Sequence, residues 1–460
     1  MMFPVLAFGK DYMDCPPQSS GAHVRPDNRY FDVSPRIVPS NTEQTIVITP
    51  LYNHVAPQDG WTYTISYTPA EQWADKSGWS PKDKEPKPLV PEDGKYKFKF
   101  LFEGEQEHTM VIEASKDDKK RVIGSIHVYS LDPDLFALRP FKGDFHMHSN
   151  RSDGVESPAY VAAACRRAGL DFMALSDHRT YGGSVEAQQA YKDALIDLRI
   201  YNAEECHAPG NPVHVLSFGA NKSISEQYAD EAAYRAAVAE IEKNLPETPK
   251  GVDHFVYASC LWEAERIREA GGMSMFCHAF WYPGNHFYAP AVLTDYLLEK
   301  QPFDALELIS GMDSREMADM DTNMLQVARY QEERAKGRNI PICGISDTHG
   351  VERSEQFGRY YTVVFAPSVE LSDLIAGIKG LRSVAVEAFG GEQPRPYGPF
   401  RLVKYCSFLL REVFPQHDEL CEDEGRMMLE YARGDAKGTQ LLKDVKGQTA
   451  ELYGKYWAEK

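Results

Sequence analysis

The sequence predicts an α/β chain: an all-β segment, then a parallel β/α architecture, open or closed into a barrel, then a helical tail. Three observations carry this. Residues 1 to about 138 alternate short β-like runs with turn residues; from about 139 strand-like runs alternate with helix-like ones; from about 396 the pattern is amphipathic helix alone.

In the first segment, TIVITPLY (45–52), WTYTISYTP (61–69), KYKFKFLF (95–102), HTMVIEA (108–114) and VIGSIHVYS (122–130) have period-2 or β-branched character. SKDDKKR between the last two is a hydrophilic hairpin tip, and PKDKEPKPLVPEDG (81–94) is a Pro-rich charged loop. Several short strands joined by turns predict a β-sandwich-like domain over 1–138. Such a domain packs, dimerises or shapes a cleft.

In the second segment, 139–395, DFMALSDH (171–178) follows the helix candidate SPAYVAAACRRAG, with Ser157 as N-cap and Pro158 at the first helical position. Strand candidates then recur as LRIYNAEE (198–205), PVHVLSFGA (212–220), GMSMFCHAF (272–280), DALELIS (304–310), IPICGISDTHG (340–350) and RYYTVVFA (359–366). Helix-like stretches such as SCLWEAERIREAGG separate most of them. In the third segment, 396–460, LVKYCSFLLREVF and GRMMLEYARG are amphipathic.

The chain has 460 residues, 43% hydrophobic and 26% charged, enough to pack a core. Fifty basic against 68 acidic residues leave a net charge of −18, which argues against binding long nucleic acid. A small phosphorylated molecule is still allowed, because bound metal ions supply local positive charge. No apolar run approaches a membrane span, and MMFPVLAFGKDYMD lacks the basic region and cleavage site of a signal peptide. Eight scattered cysteines form no C-x-x-C pair. The expectation is a cytoplasmic protein with reduced thiols.

Several of the 14 histidines fall at predicted strand ends: FHMHS, LSDH, FCHAF and SDTHG. In parallel β/α folds these ends converge on one face, which carries the active site. In GDFHMHSNRSDG (143–154), i and i+2 share a strand face. His146 and His148 therefore point the same way and can clamp one ion, and Asp153 on the next loop can add an oxygen. Asp347 and His349 repeat the i, i+2 spacing. Asp177-His178 closes another apolar strand. Singly, His278 reads as a core histidine, Glu204-Glu205 as loop carboxylates, and His214 as ambiguous. There is no dinucleotide fingerprint, P-loop, HExxH or GxSxG. Gly182-Gly183 is too short to mean phosphate binding.

Taken together, the HxH and SDG opening, the SDH, the Glu, two later single His and the closing D-T-H resemble the PHP (polymerase and histidinol phosphatase) family of metal-dependent phosphoesterases. The resemblance covers roughly 140–390. It implies a distorted (β/α)7 TIM-like barrel whose strand ends hold two to three divalent ions. By the same resemblance, His146, His148 and Asp347 are ligands of a first metal. Asp153, His178 and His349 serve a second. Glu205, His214 and His278 form a third set, with Glu205 bridging. Glu205 is preferred over Glu204 because the family's Glu precedes its next His by about nine to eleven residues; spacing alone leaves both open. Asp144 and Asp177 match positions that orient ligands, and Asp177 and Arg179 are the candidates for catalytic support. His254 and His286 have no clear family counterpart.

Mixed imidazole and carboxylate donors suit Mn, Fe or Zn better than Ca or Mg. The expected activity is hydrolysis of a small phosphorylated metabolite by metal-hydroxide attack at phosphorus. A phosphodiesterase or nuclease acting on short oligonucleotides or nucleotides is the alternative, and a non-catalytic metal-stabilised binding or assembly protein is the third reading. Substrate contacts are expected from Arg179, Lys222, Arg353, Arg359 and the loop HAFWYPGNHFY, with Trp281, Tyr282, His286 and Tyr288. No membrane partner is expected, and a homo-oligomer through the N-terminal domain is left open.

Overall fold

The computed structural model describes residues 26–71, 85–311, 322–352, 354 and 356–459. Residues 1–25 with Cys15, part of the Pro-rich loop, and Arg353 lie outside the described residues. The first part runs α1 (Pro26–Tyr30), β1 (Phe31–Ser34), β2 (Ile37–Pro39), β3 (Thr42–Pro50), β4 (Thr62–Pro69), β5 (Lys87–Leu89), β6 (Tyr96–Phe102), β7 (Glu107–Lys116) and β8 (Lys119–Leu131). These strands form a three-stranded sheet, β1-β3-β6, and a five-stranded sheet, β2-β8-β7-β4-β5. Period-2 alternation on β7 buries His108, Met110, Ile112 and Ala114. They join Phe31, Ile46 and Ile48 of the other sheet in one apolar cluster, apart from His108, which bonds Ser130. The SKDDKKR hairpin forms as read, turning at Asp117 with φ 52°.

The chain continues through α2 (Pro133–Phe136), β9 (Arg139–Asp144), α3 (Pro158–Arg167), β10 (Phe172–Leu175), α4 (Gly182–Tyr191), β11 (Arg199–Cys206) and β12 (Val215–Phe218). Then come α5 (Glu231–Glu242), α6 (His254–Glu269), β13 (Met273–Phe276), α7 (Ala291–Lys300), β14 (Ala305–Ile309), α8 (Thr322–Ala335) and β15 (Ile342–Gly344). β16 (Tyr360–Ala366), α9 (Leu371–Lys379), β17 (Ser383–Glu387) and β18 (Arg395–Tyr397) follow, and strands β9 to β18 form a ten-stranded sheet of order β15-β14-β13-β12-β11-β10-β9-β16-β17-β18. β18 straddles the expected boundary at 395.

The expectation of a parallel sheet needs correction. β9-β10-β11 and β13-β14-β15 are parallel, but β12 runs antiparallel to both neighbours, and β16, β17 and β18 are antiparallel as well. The reason lies in the connections. Residues 207–214 carry no helix, and a parallel return needs a crossover of a dozen or more residues. The sheet also curls. Beyond β9 and β15, His148 N–H donates to the Thr348 carbonyl (2.9 Å) and Asp347 N–H to the His146 carbonyl (2.8 Å), so the extensions of these two strands pair. Phe145, Phe172, Leu216, Met275 and Ile345 fill the interior.

Four helices follow: α10 (Phe400–Glu412), α11 (Phe414–Ala432), α12 (Ala436–Val445) and α13 (Gln448–Tyr456). α11 packs on α3, where Ser157 caps as read. A buried ionic network fixes it there. Lys142 Nζ bonds both Asp418 carboxylate oxygens (2.8 and 2.9 Å), Arg166 Nε bonds Glu424 (2.7 Å), and His417 Nε2 bonds Asp171 (2.9 Å). α10 also reaches the N-terminal sheets: Arg36 pairs with Glu412, Arg401 with Glu105, and Arg411 with Glu107. The seven described cysteines are buried and none is in a disulfide. Among the described residues no helix is long and apolar enough to cross a membrane.

Candidate metal centre

The pairing of the β9 and β15 extensions fixes the deepest part of the site. Met147 is buried on one face against Cys165, 3.6 Å between sulfurs, while His146 and His148 turn to the other. Asp347 meets both: its Oδ1 lies 3.2 Å from His146 Nε2 and 2.9 Å from His148 Nε2. All three side chains are buried.

Glu205, at the end of β11, sits at the centre. Its Oε1 lies 2.8 Å from His214 Nδ1 and 3.1 Å from His278 Nε2. Its Oε2 lies 2.8 Å from His178 Nδ1, 3.6 Å from His146 Nε2 and 3.7 Å from His148 Nε2. One carboxylate therefore faces two groups of imidazoles. Glu204 points the other way, accepting from Ile224 N–H (2.5 Å), Ser225 N–H (3.3 Å) and the Ser223 hydroxyl (2.9 Å).

Toward solvent, Asp153 Oδ2 lies 3.3 Å from His178 Nε2 and 3.5 Å from His349 Nε2, and its Oδ1 lies 3.8 Å from His148 Nδ1. The Asp153 carboxylate is 55% exposed and His349 is 40% exposed, so the cluster opens from a dry floor to a wet rim. Asp177 shapes this rim. Its oxygens accept from Ser149 N–H, the Ser149 hydroxyl and the Ser152 hydroxyl, each at 2.8 Å. It thus anchors the loop that carries Asp153. Two glycines permit the approach: a Cβ on Gly154 would stand 2.4 Å from the His148 carbonyl oxygen, and one on Gly183 would stand 1.8 Å from Asp177 Oδ2. Three non-glycine residues here, Arg179, His278 and Asp347, have φ of 61°, 25° and 49°. Strained backbone of this kind collects at functional sites.

The donor chemistry fits cations. His146 Nδ1 faces Glu307 Oε2 at 3.0 Å, and His349 Nδ1 faces its neighbour Asp347's carbonyl at 3.0 Å. Both partners accept only, so each Nδ1 carries the proton. Each Nε2 then faces carboxylates, an arrangement that calls for positive charge on or between the groups, from a proton or a metal ion. His146 Nε2, His148 Nδ1 and His214 Nδ1 are buried and form no properly oriented hydrogen bond, despite nearby carboxylates. Donor atoms converge in groups such as His148, Asp153, His178 and His349, or His146, His148 and Asp347, where an ion can be held.

Electrostatics point the same way. Burial opposes ionisation of Glu205 and Asp347, but the imidazoles around them outweigh it and hold both carboxyls well below the usual range. Burial pushes His214 down to about 4, despite Glu205. Burial also lifts Asp144 to about 7; its Oδ1 accepts from His146 N–H and Ser346 N–H.

Arg179 is exposed and its N–H bonds the Glu205 carbonyl (3.0 Å). Arg359 packs on Phe389, 5.8 Å from the ring centroid. Lys222 follows β12 whereas His214 precedes it, so the two lie at opposite ends of the strand; the Lys222 carbonyl accepts from the Tyr181 hydroxyl. Tyr282 packs on Phe287 at 5.3 Å, and His286 is exposed. His254 begins α6 and bonds Thr248. From the same loop, Trp281 and Tyr288 reach the histidines: Trp281 lies 5.6 Å from His278, and Tyr288 lies 5.4 Å from His214.

Three residues escaped the sequence reading. His207 stacks on His214 at 3.8 Å, with its Nε2 3.0 Å from His178 Nδ1. Its i, i+2 spacing from Glu205 was the available signal. Glu307 carried none, since it sits inside an otherwise apolar strand. Cys277, beside His278, joins His146 and Glu307 in one group of potential donors.

No family model matches the chain. Over 56 residues it is 43% identical to the DNA polymerase/3′-5′ exonuclease PolX of Bacillus subtilis, which is 12% of this chain and 10% of that protein. Over 82 residues it is 33% identical to a 5′-3′ exoribonuclease of Haemophilus influenzae, 18% of this chain and 30% of that protein. The chain thus spans less than a third of either curated relative. Among solved structures, a two-domain protein from Bacteroides vulgatus containing a predicted PHP-like metal-dependent phosphoesterase aligns at 17% identity and TM-score 0.38, covering 56% of this chain and 67% of that one.

Proposed function

We propose that this chain, which is similar to the PHP metal-dependent phosphoesterases, is a phosphoric ester hydrolase working with two to three divalent ions, Mn, Fe or Zn. One observation carries the reading: Glu205 faces His214 and His278 with one oxygen and His178, His146 and His148 with the other. A bridging carboxylate between imidazole sets is how neighbouring ions are held. Asp347, His146 and His148 would hold one ion, Asp153, His178 and His349 a second, and Glu205, His214 and His278 a third.

Bound there, the ions would supply Lewis acidity and lower the pKa of water toward ~7. The chain's own contribution is placement. Glu307 and the Asp347 carbonyl fix the tautomers of His146 and His349. Asp177 holds the Asp153 loop. Arg179, at the exposed rim, can meet an incoming phosphate. We read residues 1–138 as a β-sandwich-like accessory domain, 139–395 as a distorted (β/α)7 barrel, and 396–460 as a helical extension. The pairing of the β9 and β15 extensions supports the barrel reading.

A small phosphorylated metabolite is the first substrate reading, which the −18 net charge favours over long nucleic acid. A phosphodiesterase acting on short oligonucleotides or nucleotides is the second. It is supported by the names of the two curated relatives, an exonuclease and an exoribonuclease. The test compares a chromogenic phosphomonoester with its bis-ester analogue on Mn²⁺-loaded protein. Monoester preference supports the metabolite reading, diester preference supports the second, and hydrolysis of neither sinks the hydrolase reading.

A further inference from the structure

After His278 the chain runs through a tight loop with five aromatic rings between 280 and 288. Two groups form. Phe280 and Tyr282 both pack edge-on against Phe287, at 5.7 and 5.3 Å. This group, with the bonds Trp281 N–H to His278 carbonyl (2.8 Å) and Tyr288 N–H to Trp281 carbonyl (2.9 Å), holds the loop's shape. The other group is Trp281 and Tyr288. Their rings lie 4.7 Å apart, tilted by 45°, on the side of the loop toward the histidines. Trp281 lies 6.2 Å from His214 and 5.6 Å from His278; Tyr288 lies 5.4 Å from His214. Tyr288 nevertheless remains 41% exposed.

A half-buried Trp281 beside an exposed Tyr288, at the rim of a polar cluster, has a specific use. It is an apolar wall one ring away from His214 and His278. A phosphate drawn to that side of the cluster would have its ester substituent beside the wall. A small aliphatic substituent would gain little there. A planar ring can stack on Trp281 or Tyr288. The wall is only two rings wide and the chain is acidic, so the geometry suits one or two nucleotides rather than a long strand.

Resting on the phosphoesterase reading above, we propose that Trp281 and Tyr288 select substrates whose phosphoester group carries a nucleobase, making mono- or dinucleotides the preferred class. Selection is by stacking, so it tolerates different bases.

The test uses the full Mn²⁺-loaded chain and matched ligands that differ only by the base: adenosine 5′-monophosphate against ribose 5-phosphate, and a dinucleotide against its abasic analogue. Calorimetric affinities are measured first, then turnover. Stacking of one base is worth about 1–3 kcal/mol, so the base-bearing member should bind roughly 5- to 150-fold tighter in at least one pair. Trp281→Ala and Tyr288→Ala should bring that ratio toward one, while Trp281→Phe should keep most of it. Equal affinities within both pairs would overturn the proposal, as would a preference that survives both alanine variants. Base preference without turnover supports the stacking wall and counts against the hydrolase reading. Turnover without base preference does the reverse.

Discussion

His207 Nε2 stands 3.0 Å from His178 Nδ1 and 3.4 Å from Glu205 Oε2. His178, Glu205 and His207 thus form a group of potential donors beside the one that contains Asp153. His207 also stacks flat on His214, joining the groups on either side of Glu205. His207→Ala is therefore expected to keep the fold and weaken metal retention by about 10- to 100-fold, as loss of a ligand or its supporting partner does. Metal content after graded chelator dialysis reads this directly. Retention equal to the parent would exclude the role.

Asp347 is the acceptor shared by His146 and His148, with its Oδ1 within 3.2 Å of both rings. Asp347→Ala and His148→Ala are each expected to abolish hydrolysis and to lose at least one metal equivalent. Because ions bind the native state, stripping the parent should lower Tm and returning Mn²⁺ should restore it; each occupied site adds about 2.7 kcal/mol of stability at 100 times its Kd. Asp347→Ala should respond far less to Mn²⁺. A variant that keeps both metal and activity would sink the proposed centre.

The two adjacent glutamates should separate cleanly. Glu205 serves the imidazoles, whereas Glu204 satisfies the loop at 223–225. Glu205→Gln is expected to lose metal while leaving the Glu204 bonds to the loop at 223–225 in place. Glu204→Ala leaves buried donors unmet, at about 1–3 kcal/mol, yet should retain metal once folded. Denaturant melts and metal analysis on both variants check the assignment; the opposite pattern would reverse it.

This division shows what the sequence could and could not reveal. The i, i+2 rule placed His146 and His148 on one face because a strand has a fixed period. Glu204 and Glu205 point to opposite faces for the same reason, but which face is inward depends on register with β10 and β12. The loop at 281–288 has no period, so the sequence could not say that Trp281 and Tyr288, rather than Tyr282 and His286, reach the histidines. Glu307 meets His146 across 161 positions through sheet curvature, which local patterning does not encode. The reversal of β12 was legible in principle, from the short helix-free link 207–214.

Lys142 and Asp418 form the centre of the buried network joining β9 to α11. Lys142 is fully buried and Asp418 is 3% exposed. Removing one partner strands the other's charge, so Lys142→Met should cost about 3–5 kcal/mol. The double variant Lys142→Met/Asp418→Leu should recover much of that loss. Urea melts of the two singles and the double give the coupling; additive losses would show that the pair acts independently.

The N-terminal sheets meet the C-terminal helices at Glu107, where Arg411 Nη2 (2.5 Å) and His127 Nδ1 (2.8 Å) converge on its carboxylate. Burial alone would raise this carboxyl, but the His127 hydrogen bond and the Arg411 charge outweigh it and bring it to about 2. A carboxyl depressed in the folded state adds stability above its unfolded pKa, about 4.3. That contribution fades as pH falls from there through about 2. The groups are partly exposed, so it amounts to about 1 kcal/mol. Glu107→Gln should therefore melt below the parent at pH 7, and the gap should close between pH ~4.5 and ~2. Paired thermal melts across that range check it, and a gap independent of pH would show that Glu107 contributes packing rather than charge.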